Sequence, residues 1–199
     1  LIVLLKEKGY ESNINFLELF QKTNIKFIVT GSNISKQKIV YFNYEDFPDM
    51  EVIKALRISM SIPIVYDYVK FNDDIYVDGG LLDDYPIDYF RKEASETIGF
   101  LMFDYSETLN IEKLDEYLFS FLFCLLKKVN KIKKKIYKKN TILLKQNKIG
   151  AIEFNISNEE KKELFQLGYD NTINYFKNKE DLEPDKSGFN TDILDYINN

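Results

Sequence analysis

The sequence contains no histidine and no tryptophan, and it has a single cysteine, Cys124. Without histidine the chain cannot by itself form a Ser-His-Asp triad, a Cys-His pair or a histidine-based metal site. One cysteine excludes a disulfide within the chain and is typical of a reducing compartment. Any proton-accepting base in these 199 residues must therefore be a carboxylate, a lysine or a tyrosine.

Long apolar runs are also missing. The longest, residues 117–126, is about half of the roughly 20 residues that span a bilayer, so we expect a soluble or peripheral membrane protein. The apolar residues 1–5 lack the basic flank and the small-residue cleavage site of a signal peptide. Because the sequence starts with leucine, we expect it to begin inside a longer protein, located in the cytoplasm or at a membrane surface.

The composition predicts one domain with a hydrophobic core. Of the 199 residues, 45% are hydrophobic and 30% are charged, and no segment rich in proline, glycine or serine separates two halves. We assign residues 1–177 to the domain and residues 178–199 to a polar C-terminal tail. The net charge of -5 argues against nucleic acid as a partner.

Hydrophobic patterns in the first half predict short strands around one helix. Residues 26–30 and 38–42 read as two strands joined by a turn at residues 31–33. Asp49 is the predicted cap of a helix that must end before Pro63. Residues 66–69 and 75–77 read as strands on either side of a turn at residues 72–74.

The second half alternates helices with strands. Pro86 suits the first turn of a helix, and the apolar residues 97–103 predict a strand that is buried on both faces. A long amphipathic helix, a strand at residues 141–144 and a last helix from a Ser157–Glu160 capping box to about Phe176 follow. This alternation predicts an α/β layered fold.

A carboxylate next to two glycines is the most informative feature of the sequence. Asp78, Gly79 and Gly80 follow the predicted strand 75–77, and α/β folds build their sites at the carboxyl ends of strands. The glycines would let another backbone approach closely. Asp-Gly is also a common turn dipeptide, so this tripeptide alone leaves a plain turn as the alternative.

The surrounding segment, residues 55–89, resembles the patatin-like phospholipase family. The resemblance rests on Ser-x-Ser-Ile-Pro at residues 59–63, on Tyr-Val-Asp-Gly-Gly-Leu-Leu at residues 76–82 and on the Tyr-Pro-Ile-Asp that follows, and it extends less specifically over residues 1–177. It implies a three-layer α/β/α sandwich that hydrolyses acyl esters of lipids, such as phospholipids, with a Ser-Asp dyad. Asp78 would be the acid of that dyad, with Gly79 and Gly80 as its motif.

The nucleophile of the family is missing from these 199 residues. It sits in a G-x-S-x-G turn, and no two of the eight glycines lie four residues apart. Ser59 and Ser61, at a helix end beside a proline, read as hydroxyls bonded to local backbone. We therefore expect the C-terminal part of a hydrolase, which lacks the serine and is inactive alone.

We predict no cofactor and no metal site. The aspartates around the motif are not spaced as in a calcium loop; they are Asp73, Asp74, Asp78, Asp83 and Asp84. Family members often carry an asparagine pair at positions 83 and 84, so the two carboxylates add negative charge near Asp78.

The lysine-rich residues 117–139 admit two interpretations. They form either an interfacial helix that contacts an anionic membrane, or a core-facing helix with a basic solvated side. Two functional alternatives also stay open: a non-catalytic, membrane-associating relic of the same fold, and a generic α/β binding module, which would require Asp78 to be fully exposed at a hairpin tip.

Overall fold

The computed structural model describes residues 1–104, 111–146 and 156–179 and has a mixed α/β fold, which confirms the predicted class. The chain divides into two compact units. The first contains residues 1–91 and 109–136, and the second contains residues 92–108 and 137–199. The predicted tail lies outside the described residues, apart from the last two residues of the final helix.

The first unit is a four-stranded antiparallel sheet with helices. Its strands, in the order β2-β1-β4-β3, are β1 (Val29–Asn33), β2 (Lys38–Phe42), β3 (Val69–Phe71) and β4 (Asp74–Asp78). Its helices are α1 (Ile2–Glu7), α2 (Phe16–Thr23), α3 (Val52–Ser59) and α4 (Leu114–Ile136), and a 3₁₀-helix, Gly79–Leu81, follows β4. None of the helices in the described ranges is long and apolar enough to cross a membrane.

The predicted hairpin of β1 and β2 is confirmed, but β1 begins at Val29 and contains the residues expected to form the turn. Gly31 lies inside the strand, where a β-carbon would lie 2.6 Å from Ile58 of α3 and 2.8 Å from Phe42 of β2. The glycine therefore allows α3 to pack closely on the sheet. Close approach of a neighbouring element is a common reason for a glycine inside a strand.

The predicted helix at α3 is confirmed, but its predicted cap is wrong. Glu51, not Asp49, is the N-cap, and it makes no capping hydrogen bond through its side chain. Glu51 forms a β-bridge with Asn15, and the Val52 N–H donates to the Ile14 carbonyl at 3.0 Å. These contacts keep the chain extended past Asp49, so the helix starts later.

The second predicted hairpin is also confirmed, with a shift in its first strand. Asn72 and Asp73 both have positive φ, 47° and 63°, as a two-residue hairpin turn requires. β3 starts at Val69 rather than at Tyr66, because Tyr66 belongs to a turn in which its N–H donates to the Ile62 carbonyl.

The core of the first unit lies between α3 and the sheet. Buried aromatic and aliphatic side chains from α2, the strands and α3 form one cluster, which includes Phe16, Val29, Phe42, Ala55 and Ile58. Since α3 and β4 share this core, the end of β4 has a fixed position relative to the residues that follow α3.

The second unit contains β5 (Gly99–Asp104), β6 (Thr141–Gln146) and α5 (Asn158–Lys179), and β5 and β6 pair in parallel. The predicted capping box of α5 is confirmed, since Ser157 and Glu160 bond reciprocally. The prediction that β5 is buried on both faces is wrong, because Leu101 is buried but Phe100 and Met102 are exposed. The expected helix after Pro86 is a 3₁₀-helix, Pro86–Glu96.

Candidate active site

Asp78 lies where β4 ends and the 3₁₀-helix Gly79–Leu81 begins. Its Oδ1 accepts a hydrogen bond of 2.7 Å from the Gly80 N–H, and its own N–H donates to the Ser61 carbonyl at 3.0 Å. In the sheet it lies opposite Gly31 of β1. The carboxyl is half-buried at a strand end and is not part of a hairpin turn. The binding-module alternative required Asp78 to be fully exposed at a hairpin tip, so its condition is not met.

The two glycines serve close approach, as predicted, and neither has a positive φ. A β-carbon on Gly79 would lie 2.6 Å from Cβ of Thr30 and 2.8 Å from its carbonyl carbon. On Gly80 it would lie 3.0 Å from Oδ1 of Asp78 and 3.3 Å from Oδ1 of Asp84. Gly79 thus lets the motif pack against β1, and Gly80 leaves space between two carboxylates.

Two serines support the backbone of the motif, Ser32 through its hydroxyl and Ser61 through its carbonyl. Ser61 donates its Oγ–H to the Arg57 carbonyl at 2.8 Å, which confirms for this serine the predicted bond to local backbone. The buried Ser32 of β1 donates to the Gly79 carbonyl at 3.2 Å. Ser59 is half-buried at the last position of α3. Ser32 and Ser61 therefore fix the strand end that carries Asp78.

Burial raises the pKa of the Asp78 carboxyl above its usual value. The Gly80 N–H lowers this pKa by stabilising the ionised form, and the negative charge of Asp84 raises it. Burial is the largest of the three effects, so the carboxylate is a stronger base than an exposed aspartate. Oδ1 is held by Gly80, and within the described ranges no hydrogen bond to Oδ2 is found.

The other aspartates divide into two groups. Asp73 and Asp74 lie at the opposite end of β4, where Asp74 pairs with Lys36 at 2.7 Å. Asp84 lies beside Gly80, and this agrees with the expectation that its charge is near Asp78. Asp83 accepts from the Tyr41 hydroxyl at 3.3 Å, and burial raises the pKa of Tyr41 further above its usual range, with the Asp83 charge as the second cause.

Two polar residues of α4 that the sequence analysis did not single out hold the segment after the motif. The buried Lys133 ammonium lies 2.7 Å from Asp83 and 2.7 Å from Asp88. The buried Asn130 donates to Asp84 at 2.8 Å. The sequence signal for these two residues is an asparagine one turn before a lysine on an amphipathic helix. This spacing does not indicate which residues they bind.

Comparisons with known proteins show what the chain is similar to. The model of the family described as patatin-like phospholipase matches residues 2–91. A protein of Invertebrate iridescent virus 6 named probable lipid hydrolase 463L is 42% identical over 81 residues, which are 41% of this chain and 28% of that protein. An uncharacterized protein of Acanthamoeba polyphaga mimivirus is 25% identical over 175 residues, which are 83% of this chain and 58% of that protein.

Among solved structures, VipD from Legionella pneumophila has a similar fold. The TM-score is 0.53 at 11% sequence identity, and the match covers 86% of this chain and 37% of VipD. The chain therefore spans between about a quarter and three fifths of the lengths of the proteins it matches. Over residues 2–91, which include Asp78, Gly79 and Gly80, the resemblance to the patatin-like phospholipase family is confirmed.

Proposed function

We propose that this chain supplies the carboxylate of a Ser-Asp dyad in a lipid acyl hydrolase. The observation that carries the proposal is the state of Asp78: half-buried at a strand end, with a raised pKa and with one oxygen fixed by Gly80. A positioned carboxylate of raised pKa is suited to accept a proton at neutral pH. The chain contains no histidine that could take this role instead.

In the proposed reaction a serine Oγ attacks the ester carbonyl carbon while Asp78 takes the hydroxyl proton. The carbon–oxygen bond to the alcohol then breaks, and the alcohol leaves with that proton. Water attacks the acyl-serine in the second half, gives a proton to Asp78 and releases the fatty acid, and the proton returns to the serine. The 199 residues contain no G-x-S-x-G, so the proposal takes the serine from polypeptide outside them.

The substrate class is proposed from two supports. The family model that matches residues 2–91 is that of patatin-like phospholipases, and the relative from the iridescent virus is named probable lipid hydrolase. A phospholipid or another lipid ester is therefore the proposed substrate. The proposed reaction uses no metal and no cofactor, since a serine, a carboxylate and water complete it.

The test compares two carboxylate substitutions in the polypeptide encoded by the complete reading frame. We expect Asp78→Asn to lower hydrolysis of a lipid ester about a hundred- to ten-thousand-fold, because the proton acceptor is removed. The matched control is Asp73→Asn, which makes the same change at an exposed turn with a φ of 63° that asparagine tolerates. Control and parent should have equal rates.

Two further results decide against the proposal. Equal activity of the Asp78→Asn variant and the parent removes Asp78 from the reaction. No hydrolysis by the parent of the complete reading frame supports the non-catalytic relic instead. We also expect the purified 199-residue chain alone to release no nitrophenol from a short-chain nitrophenyl ester, and measurable release would contradict a nucleophile that lies outside these residues.

A further inference from the structure

The first half of α4 exposes a continuous apolar stripe. Leu114, Tyr117, Leu118 and Phe121 have exposed fractions of 73%, 56%, 43% and 59%. Spacings of three and four residues place these four side chains on one face of the helix. The core-facing interpretation of this helix predicted the reverse, with apolar side chains inside. A contiguous exposed apolar surface on a folded protein commonly marks an interaction site.

The same face becomes basic in the second half of the helix. Lys131 and Lys135 are exposed, and at 100° per residue both fall on the side of the helix that carries Tyr117. No aspartate or glutamate occurs between Tyr117 and Ile152. One face of α4 therefore carries apolar side chains followed by positive charge, in a chain whose net charge is -5.

The orientation of α4 about its own axis is fixed by its other face. Asn130 and Lys133 are buried there and bind Asp84, Asp83 and Asp88. These residues lie roughly 100° to 160° around the helix from Leu114, on the side away from the exposed lysines. Turning the apolar stripe inward would break both ion pairs of Lys133, so the stripe stays outward in the folded unit.

We propose that this face of α4, formed by Leu114, Tyr117, Leu118, Phe121, Lys131 and Lys135, docks the protein on an anionic lipid surface. The apolar side chains would enter the acyl boundary, and the lysines would lie at the level of the anionic headgroups. Charge complementarity selects this occupant over a neutral protein surface, since the face that carries the apolar stripe also carries the exposed Lys131 and Lys135. The inference concerns docking and is independent of the catalytic role proposed for Asp78.

The test is flotation of the 199-residue chain with vesicles of phosphatidylcholine, with and without phosphatidylserine, at low and at high salt. We expect binding to the phosphatidylserine vesicles that weakens as salt rises. Each lysine near such a surface contributes about fivefold to partitioning, so Lys131→Glu with Lys135→Glu should weaken binding at least about tenfold. The matched control is Lys161→Glu with Lys162→Glu, two exposed lysines of α5.

The apolar stripe is tested separately by Phe121→Ser, with Phe165→Ser of α5 as the control, since Phe165 is at least as exposed as Phe121. Phe121→Ser should weaken binding, whereas the control should bind as the parent does. Equal losses in variants and controls overturn the proposal, as does binding that is independent of salt and of phosphatidylserine. Self-association through Phe121 without vesicle binding, measured by light scattering, would also overturn it. Circular dichroism of each variant checks that the chain keeps the helix content of the parent.

Discussion

At the scale of the residue, two opposing influences act on the pKa of Asp78. Its Oδ1 accepts the Gly80 N–H, but burial and the charge of Asp84 raise its pKa. A carboxyl with a raised pKa binds its proton more tightly in the folded state than in the unfolded chain. The folded state therefore loses stability as the pH rises from the unfolded pKa, about 3.9, through the raised folded value.

This linkage predicts that Asp78→Asn is more stable than the parent at neutral pH and equally stable in acid well below the unfolded pKa. The amide oxygen keeps the acceptor for Gly80 and carries no charge. Because the side chain is only half-buried, we expect a gain of less than about 1 kcal/mol. Urea unfolding of both proteins at the two pH values measures it. A variant that is less stable at neutral pH would contradict a raised pKa.

The sequence correctly predicted that Asp78 lies at the end of a strand and that the two glycines after it allow close approach, because these signals lie within a few consecutive residues. It did not predict the partners of Asp83, since Lys133 is 50 residues away along the chain. A buried ion pair of this kind depends on how α4 packs, and the sequence pattern fixes only the spacing along the helix.

At the scale of the element, Lys133 joins α4 to the segment after the motif. Its side chain is 7% exposed and its ammonium pairs with Asp83 and Asp88, whose side chains are 12% and 21% exposed. Removing one partner of such a group leaves buried charge without compensation. We expect Lys133→Met to lower the free energy of unfolding by about 3–5 kcal/mol, measured by chemical denaturation.

The control for this prediction lies on the same helix. Lys135 is exposed, so Lys135→Met should change stability by no more than about 0.5 kcal/mol. Adding Asp83→Asn and Asp88→Asn to Lys133→Met should recover part of the loss, since the uncompensated charges are then gone. Equal stabilities of the Lys133→Met and Lys135→Met variants would show that these ion pairs contribute nothing.

Elements whose signals lie within a few residues were predicted well. The turn at Asn72 and the capping box at Ser157 depend on local backbone geometry, and both have the expected form. The predictions at Gly31 and Asp49 were wrong, since α3 packs on Gly31 and the Asn15–Glu51 bridge delays the helix. In both cases a contact distant in sequence decided between two locally allowed structures.

At the scale of the whole molecule, the proposed docking face and the proposed dyad carboxylate lie in different parts of the first unit. Lys131 and Lys135 face away from the side of α4 that binds the aspartates after the motif, whereas Asp78 lies at the end of β4. If both proposals hold, Lys131 and Lys135 affect the rate of hydrolysis only for substrates presented on a membrane. A ratio of two rates, on anionic phospholipid vesicles and on a soluble short-chain ester, separates docking from chemistry.

We expect the combined Lys131→Glu and Lys135→Glu substitutions, made in the polypeptide of the complete reading frame, to lower this ratio at least about tenfold at low salt, because less protein is held at the vesicle surface. High salt should lower the ratio of the parent toward that of the variant. Lys161→Glu with Lys162→Glu should leave the ratio as in the parent. A proportional fall of both rates in the Lys131 and Lys135 variant would mean that these lysines act on the folded site itself, and docking through α4 would then have no role in hydrolysis.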